Sequence, residues 1–170
     1  MWDSGRTPFR VIEHGVVVPP GVRWQGELAR GLVISNNLGR RGRRMGPDLF
    51  LEARRTLPLD LVGMAARELG GLGEVEHGQL PAFAAHYRFL FSPIRYSSLG
   101  LSVIEAMMIG MPVVALATTE MATVIEDGVS GFADTRLDLL CERMQALLRE
   151  PGLARDLGER GRERALARFS

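Results

Sequence analysis

Two kinds of hydrophobic pattern alternate along the chain: short blocks that are apolar throughout, and longer stretches with helical periodicity. Gly31–Ser35 (GLVIS), Leu59–Met64 (LDLVGM), Arg88–Pro93 (RFLFSP) and Pro112–Ala117 (PVVALA) are of the first kind, as strands covered on both faces are. Between them Gly46–Thr56, Pro81–Tyr87 and Leu101–Ile109 predict helices, with Pro47 suited to a first helical turn. A short edge strand is expected near Val75, which makes Pro112–Ala117 the fifth strand. Arg136–Arg149 carries one core-facing stripe of Leu137, Leu139, Leu140, Met144 and Leu147. After Pro151, the residues Leu153, Leu157, Gly161 and Ala165 recur at four-residue spacing, although Gly158 and Gly161 weaken the helix.

Strands alternating with helices predict an α/β fold, a Rossmann-like doubly wound parallel sheet in three α/β/α layers. Residues 1–27 show no strong amphipathic pattern and break at Pro19-Pro20-Gly21, as a linker does. Residues 28–150 form the domain and residues 151–170 a C-terminal helix.

The stretch Pro93–Gly110 departs most from a generic domain. A strand ends at Pro93, and Ser97, Ser98 and Gly100 offer capping chemistry before a helix that is apolar around nearly its whole circumference. Only Ser102 and Glu105 interrupt it. An unpaired polar group in such a helix costs roughly 2–7 kcal/mol even when uncharged, so Glu105 requires a partner, either an internal side chain or a ligand. Its place just past the carboxyl end of a strand is where parallel α/β sheets bind ligands and where helix N-termini attract phosphates.

A second loop, residues 36–46 (NNLGRRGRRMG), sets Arg40, Arg41, Arg43 and Arg44 among three glycines at the end of the first strand. Guanidinium groups pair bidentately with phosphate oxygens, so this loop suits a diphosphate. The alternatives are a solvated basic loop or a patch for an acidic lipid headgroup. Neither a dinucleotide fingerprint nor a Walker A loop is present.

With 170 residues the chain is one ordinary domain, able to bury about 70% of its unfolded surface. At 46% hydrophobic and 24% charged residues, disorder is excluded, and a net charge of +1 argues against a nucleic-acid partner. Cys141 is the single cysteine, which fits a reducing compartment, and no secretory signal is visible, so a cytoplasmic location is expected. The longest apolar run, Ala106–Ala117, is broken by Gly110 and Pro112 and is too short to span a bilayer. His77 and His86 are too scattered for a metal site and are read as surface or packing residues.

Residues 93–107, PIRYSSLGLSVIEAM, resemble the nucleotide-sugar signature of the family 4 glycosyltransferases of the GT-B type, Pro-Ser-x-x-Glu-Gly-Phe-Gly-Leu-x-x-x-Glu-Ala-Met. Pro93, Gly100, Leu101, Glu105, Ala106 and Met107 match it, whereas Ile94, Ser97, Ser98 and Leu99 depart from it. The resemblance implies that Glu105 holds the nucleotide ribose, that Ser97 stands at the catalytic first acid beside the donor sugar, and that Gly100 with the amides of Leu101 and Ser102 holds the distal phosphate. It places Asn37, Arg40, Arg41 and Arg44 along the donor diphosphate, Arg44 substituting for a lysine whose position is Met45. It brings Gly78, in His77-Gly78-Gln79-Leu80, near the base by its backbone. The segment around PVVALA is similar to the family's Pro-Val-Val-Ala, with Thr119, Glu120 and Thr123 in place of the usual Gly-Gly and Glu and with Thr118 and Thr119 still able to donate hydrogen bonds to phosphate. Glu126–Gly131 is similar to its Asp-Gly-x-x-Gly turn, whose acids are read as solvent-facing. Val11–Val16 resembles the interdomain crossing Val-Ile-x-Asn-Gly-Val, with His14 in place of Asn, so an acceptor-binding domain is expected on its N-terminal side.

As implied by that resemblance, the chain is the donor half of a retaining, metal-independent hexosyltransferase, inactive in isolation. It would need no cofactor, take a UDP- or GDP-sugar as substrate, and touch a membrane only through the other domain. The alternative is a nucleotide-sugar-binding module without turnover, motivated by Ser97 and Met45. An epimerase of related architecture needs catalytic acids in a shared cleft, and nothing in the residues favours it.

Overall fold

The computed structural model describes residues 15–170 together with Gly5, Thr7, Pro8 and Glu13. His14 and the Val11–Ile12 part of the expected crossing lie outside the described residues. Five strands, β1 (Leu28–Ile34), β2 (Leu59–Val62), β3 (Tyr87–Ser92), β4 (Val113–Leu116) and β5 (Phe132–Asp134), form one sheet in the order β2-β1-β3-β4-β5. Every pairing is parallel, with Val33 opposite Leu61, Leu32 opposite Leu90, Phe91 opposite Val114 and Ala115 opposite Ala133. The helices are α1 (Pro47–Ala53), α2 (Leu80–Ala84), α3 (Leu101–Ile109), α4 (Met121–Val124), α5 (Leu137–Arg149) and α6 (Pro151–Phe169). The predicted Rossmann-like α/β fold is the one observed.

Alternation along each strand sends side chains into two separate cores. Val33, Leu61, Phe89, Phe91 and Val114 pack with Phe50 of α1 and Leu140, Met144 and Leu147 of α5. Leu32, Leu90, Val113 and Ala115 pack on the other face with Ala84 of α2 and with Ile104, Met107 and Met108 of α3. Because both faces are covered, the strands read as continuous apolar runs. Helix α6 begins in the first core with Ala154 and Leu157 and ends in the second with Ala165 and Phe169.

The glycines that weaken α6 on propensity are what seat it. A Cβ on Gly158 would lie 2.1 Å from the Gly110 carbonyl oxygen, and one on Gly161 would lie 2.8 Å from that of Ser130. Helix α3 ends at Gly110 in the left-handed region (φ 87°), with Gly110 N–H donating to Met107 O and Met111 N–H to Ala106 O. That pair of bonds is a Schellman ending, which a glycine adopts without steric cost.

Several boundaries differ from the pattern. Val75 is not in a strand; β2 is extended only by a bridge between Val62 and Gly73, so Pro112–Ala117 supplies the fourth strand. Helix α2 stops at Ala84, because Tyr87 belongs to β3, where its ring packs on Phe83 and its hydroxyl donates to Asp60 at 3.2 Å. Strand β5 is not predicted by the pattern. Asp127 is exposed, as expected, and also holds that strand's Ala133 N–H through Oδ1 at 3.0 Å. Residues 15–27 form no regular element but are tied to the domain. Trp24 N–H donates to Ile109 O at 2.8 Å, its indole Nε1–H to Tyr87 O at 2.7 Å, and Gln25 and Gly26 N–H to Ala85 O.

Candidate functional site

Strand order reverses between β1 and β3, and at that switch point a parallel sheet leaves a crevice beyond its carboxyl ends. A pocket of about 400 Å³ opens there. Ile34, Ser35 and Asn36 leave β1 into it, and Val62 and Gly63 leave β2. Ile94 and Ser97 come from the loop after β3, and Gly100, Leu101, Ser102 and Glu105 from the first turns of α3. Arg41 and Met45 close one side and Val75, His77 and Leu80 the other.

Helix α3 has Gly100 as its N-cap, and neither Ser97 nor Ser98 caps it by a side-chain hydrogen bond. The expected capping role is thus not taken, and the first-turn N–H groups face the pocket side with the positive end of the helix dipole. Glu105 is buried, 8% exposed, one turn in. Among the described residues its ion-pair neighbour is His77, Nε2 to Oε1 3.8 Å. Burial pushes its carboxyl above the ordinary range, and the His77 charge opposes this more weakly. Ser35 is also buried, and its Oγ has no hydrogen-bond partner among the described residues. Two buried polar groups thus border one cavity with unfilled hydrogen-bonding capacity.

The arginines of the 36–46 loop separate. Arg41 lines the pocket, whereas Arg40 turns away to pair with Glu68 on the surface. Arg44 contributes its carbonyl, which accepts the N–H groups of Arg95 and Tyr96 at 2.9 and 3.0 Å. The Arg95 guanidinium adds a bond to Arg43 O at 2.9 Å and a bidentate pair with Asp48 at 2.6 and 2.7 Å. That pairing holds the Asp48 carboxyl below its ordinary value. The loop after β1 and the loop after β3 are therefore stapled into one wall.

The remaining candidates stand behind the lining. Asn37 adopts φ 57° and donates its N–H to Met64 O, while neighbouring Asn36 lines the pocket. Thr118 and Thr119 donate their hydroxyls to Ile94 O and Ser97 O, both at 3.1 Å, bracing the 94–97 loop from the β4 side. Gly78 is exposed in the 3-10 turn His77–Gln79, whose first residue, His77, reaches the pocket. The lining residues Ser35, Asn36 and His77 escape the sequence reading. Ser35 had a usable signal, a hydroxyl closing an otherwise apolar strand. Met45, standing where the family carries a lysine, is buried and lines the pocket, one cation fewer. No group of three or more His, Cys, Asp or Glu side chains able to hold a metal occurs among the described residues. No helix among them is long and apolar enough to cross a membrane.

A doubly wound parallel domain whose switch-point crevice is bordered by a helix N-terminus, a buried carboxylate and a guanidinium is of the α/β class, in which crevices at strand ends are where ligands bind. The sequence model of the family glycosyl transferases group 1 matches residues 66–164, and the chain belongs to that family. Sucrose-phosphate synthase from Thermosynechococcus elongatus superposes with a TM-score of 0.71 at 26% identity, over 83% of this chain and 41% of that one. A variant of S. aureus TarM, solved with fondaparinux, α-GlcNAc-glycerol and UDP, gives 0.71 at 18% identity, over 91% and 35%. Both superpose with the GT-B type of fold expected from the 93–107 signature. An uncharacterized 41.2 kDa protein in the cps region of Klebsiella pneumoniae is 37% identical over 60 residues, 35% of this chain and 17% of that protein. The chain thus spans well under half the length of each of these proteins.

Proposed function

We propose that this chain is the donor-binding half of a family 4 glycosyltransferase that moves a hexosyl group from a UDP- or GDP-sugar to an acceptor held by a second, N-terminal domain. The carrying observation is Glu105, a buried carboxylate without a hydrogen-bond donor among the described residues, one helical turn behind a free helix N-terminus. A ribose supplies the hydroxyl donors Glu105 lacks, in the same pocket that the first-turn residues Gly100, Leu101 and Ser102 line.

In this reading the N–H groups of Leu101 and Ser102 and the Arg41 guanidinium stabilise negative charge on the departing diphosphate from two sides. Charge developing on the leaving group is what such preorganised donors favour. With the protein supplying these donors, the departing diphosphate is stabilised without a resident metal, and retention at the anomeric carbon is what the resemblance to family 4 implies. Ser97 lies beside the sugar and hydrogen-bonds it. The cps-region relative and the UDP bound in TarM support a nucleotide-sugar-dependent enzyme of polysaccharide assembly.

The second reading, a nucleotide-sugar-binding module without turnover, is favoured by Ser97 and Met45, which leave the pocket one acid and one cation short. Thermal melts of the chain with UDP, GDP, ADP and their sugar conjugates test the first part, since ligand binding to the folded state raises the midpoint. A rise with UDP or GDP that Glu105→Ala abolishes is expected; no rise with any nucleotide refutes the donor site. Donor hydrolysis by the chain joined to an N-terminal domain then separates the enzyme from the module.

A further inference from the structure

The C-terminal end of α3, roughly 7 Å along the helix from Glu105, borders a second cavity of about 330 Å³. Arg23 and Trp24 form one wall, Gly110 lies at its base, and Arg155, Glu159 and Arg162 form the other wall. The last three are four and three residues apart on α6, so they share one stripe of that helix.

This cavity is electrically unbalanced. Three guanidiniums face one carboxylate, and among the described residues no ion pair joins Glu159 to any of them. The Arg162 Nε is shielded from water and has no hydrogen-bond partner among the described residues. Burial, and then the charge of Arg23, pull the Arg162 guanidinium below its ordinary value, so two cations meet here at a cost.

The walls are rigid. The close approach of Gly158 to the Gly110 carbonyl seats α6 on α3, and the Arg162 stem passes within 3.7 Å of where a Gly110 Cβ would stand. Trp24 is fixed by its two hydrogen bonds to Ile109 O and Tyr87 O. The backbone segments that carry the three guanidiniums are therefore held together, and an oxyanion offsets the repulsion between Arg23 and Arg162 while supplying an acceptor for the orphaned Nε–H.

We propose that this cavity is a second oxyanion site, binding a phosphate group between Arg23 and Arg162 with Arg155 at the rim, separate from the Glu105 pocket. Soluble phosphate or pyrophosphate and the phosphodiester of an anionic lipid headgroup share this chemistry.

Trp24 lines the cavity and reports on it directly. Trp2 is the other tryptophan of the chain, so Trp2→Phe leaves Trp24 as sole emitter. In that background, Trp24 emission is titrated with inorganic phosphate and pyrophosphate at constant ionic strength, sodium chloride being the reference. Parallel arms use phosphatidylglycerol and phosphatidylcholine vesicles. A saturable change is expected, weakened at least tenfold by Arg23→Gln and by Arg162→Gln and unaltered by Glu105→Gln. Saturation by soluble phosphate assigns the site to free phosphates; a response to phosphatidylglycerol vesicles alone assigns it to a headgroup. Arg23 is exposed, so Arg23→Gln keeps the test valid even where Arg162→Gln perturbs folding. A response that chloride or phosphatidylcholine reproduces, that survives both substitutions, or that never saturates overturns the proposal.

Discussion

The His77 imidazole stands 3.8 Å from the Glu105 carboxylate across the mouth of the pocket, and among the described residues it is the side chain within ion-pairing distance of that buried acid. Burial outweighs it, so the native carboxyl binds its proton more tightly than the unfolded one does. The sign follows from linkage: stability is highest below the ordinary carboxylate range and falls as pH rises through the raised native value. Glu105→Gln is therefore expected to stabilise the ligand-free chain at pH 7, with the gain vanishing at low pH. The same substitution weakens UDP or GDP binding about tenfold, the equivalent of ~1.4 kcal/mol. Melts from pH 4 to 8, with and without nucleotide, measure both; a lower melting point at pH 7 contradicts the account.

Gly158 and Gly110 meet where no side chain fits. An added Cβ at 158 would lie 2.1 Å from the Gly110 carbonyl oxygen and 3.2 Å from Pro112 Cδ, neither of which is the end of a flexible chain. Gly158→Ala is expected to cost ~2–3 kcal/mol by overpacking. Gly152→Ala, on the same helix with nothing within 4 Å, is expected to stabilise by ~0.5–1 kcal/mol through helix propensity. Urea denaturation midpoints of the two variants should move in opposite directions.

Arg88 is buried in β3, 7% exposed, and donates to Gly26 O at 2.7 Å and to Leu147 O and Leu148 O at 3.2 and 3.1 Å. It thereby satisfies carbonyls in the last turn of α5 and ties the segment that enters β1 to that helix. Arg88→Met leaves those acceptors unpaired in the interior and is expected to cost ~2–4 kcal/mol. Arg88→Lys restores the charge without the planar fork and recovers only part of the loss. Equal stability of the methionine variant in urea would show that water replaces the guanidinium.

The sheet is legible in the sequence because four of its strands are apolar on both faces, which only a doubly covered sheet requires. Strand β5 is not: Phe132-Ala133-Asp134 is three residues long and depends on Asp127, a contact that periodicity does not carry. Helix α6 reads weakly for a related reason, since propensity scores Gly158 and Gly161 as losses while tertiary packing uses the space they leave. The site divides the same way. Glu105 and Gly100 stand out because a lone acid in an apolar helix and a glycine at its start are local anomalies. His77 does not, since its meaning comes from Glu105, a residue distant in sequence. Thr118 and Thr119 sit at a strand's end as expected, yet their hydroxyls are taken by the carbonyls of Ile94 and Ser97.

Arg40 and Arg41 are adjacent and chemically identical, so pattern cannot choose between them, but the backbone points them to different tasks. Arg40 is paired with Glu68, whose carboxyl it holds below the ordinary value, on an exposed surface where such pairs contribute little. Arg41 faces the pocket across from the α3 N-terminus. A diphosphate there exchanges hydration for a charge-assisted pair with Arg41, whereas recruiting Arg40 requires breaking its pair with Glu68 first. Arg41→Gln is expected to weaken nucleoside diphosphate binding about tenfold, ~1.4 kcal/mol, with little change in the melting point of the free chain. Arg40→Gln is expected to leave affinity within about twofold and the melting point of the free chain nearly unchanged. Calorimetric titration of both variants with UDP and GDP decides it: a larger loss at Arg40 than at Arg41 means that the loop rearranges when the ligand enters.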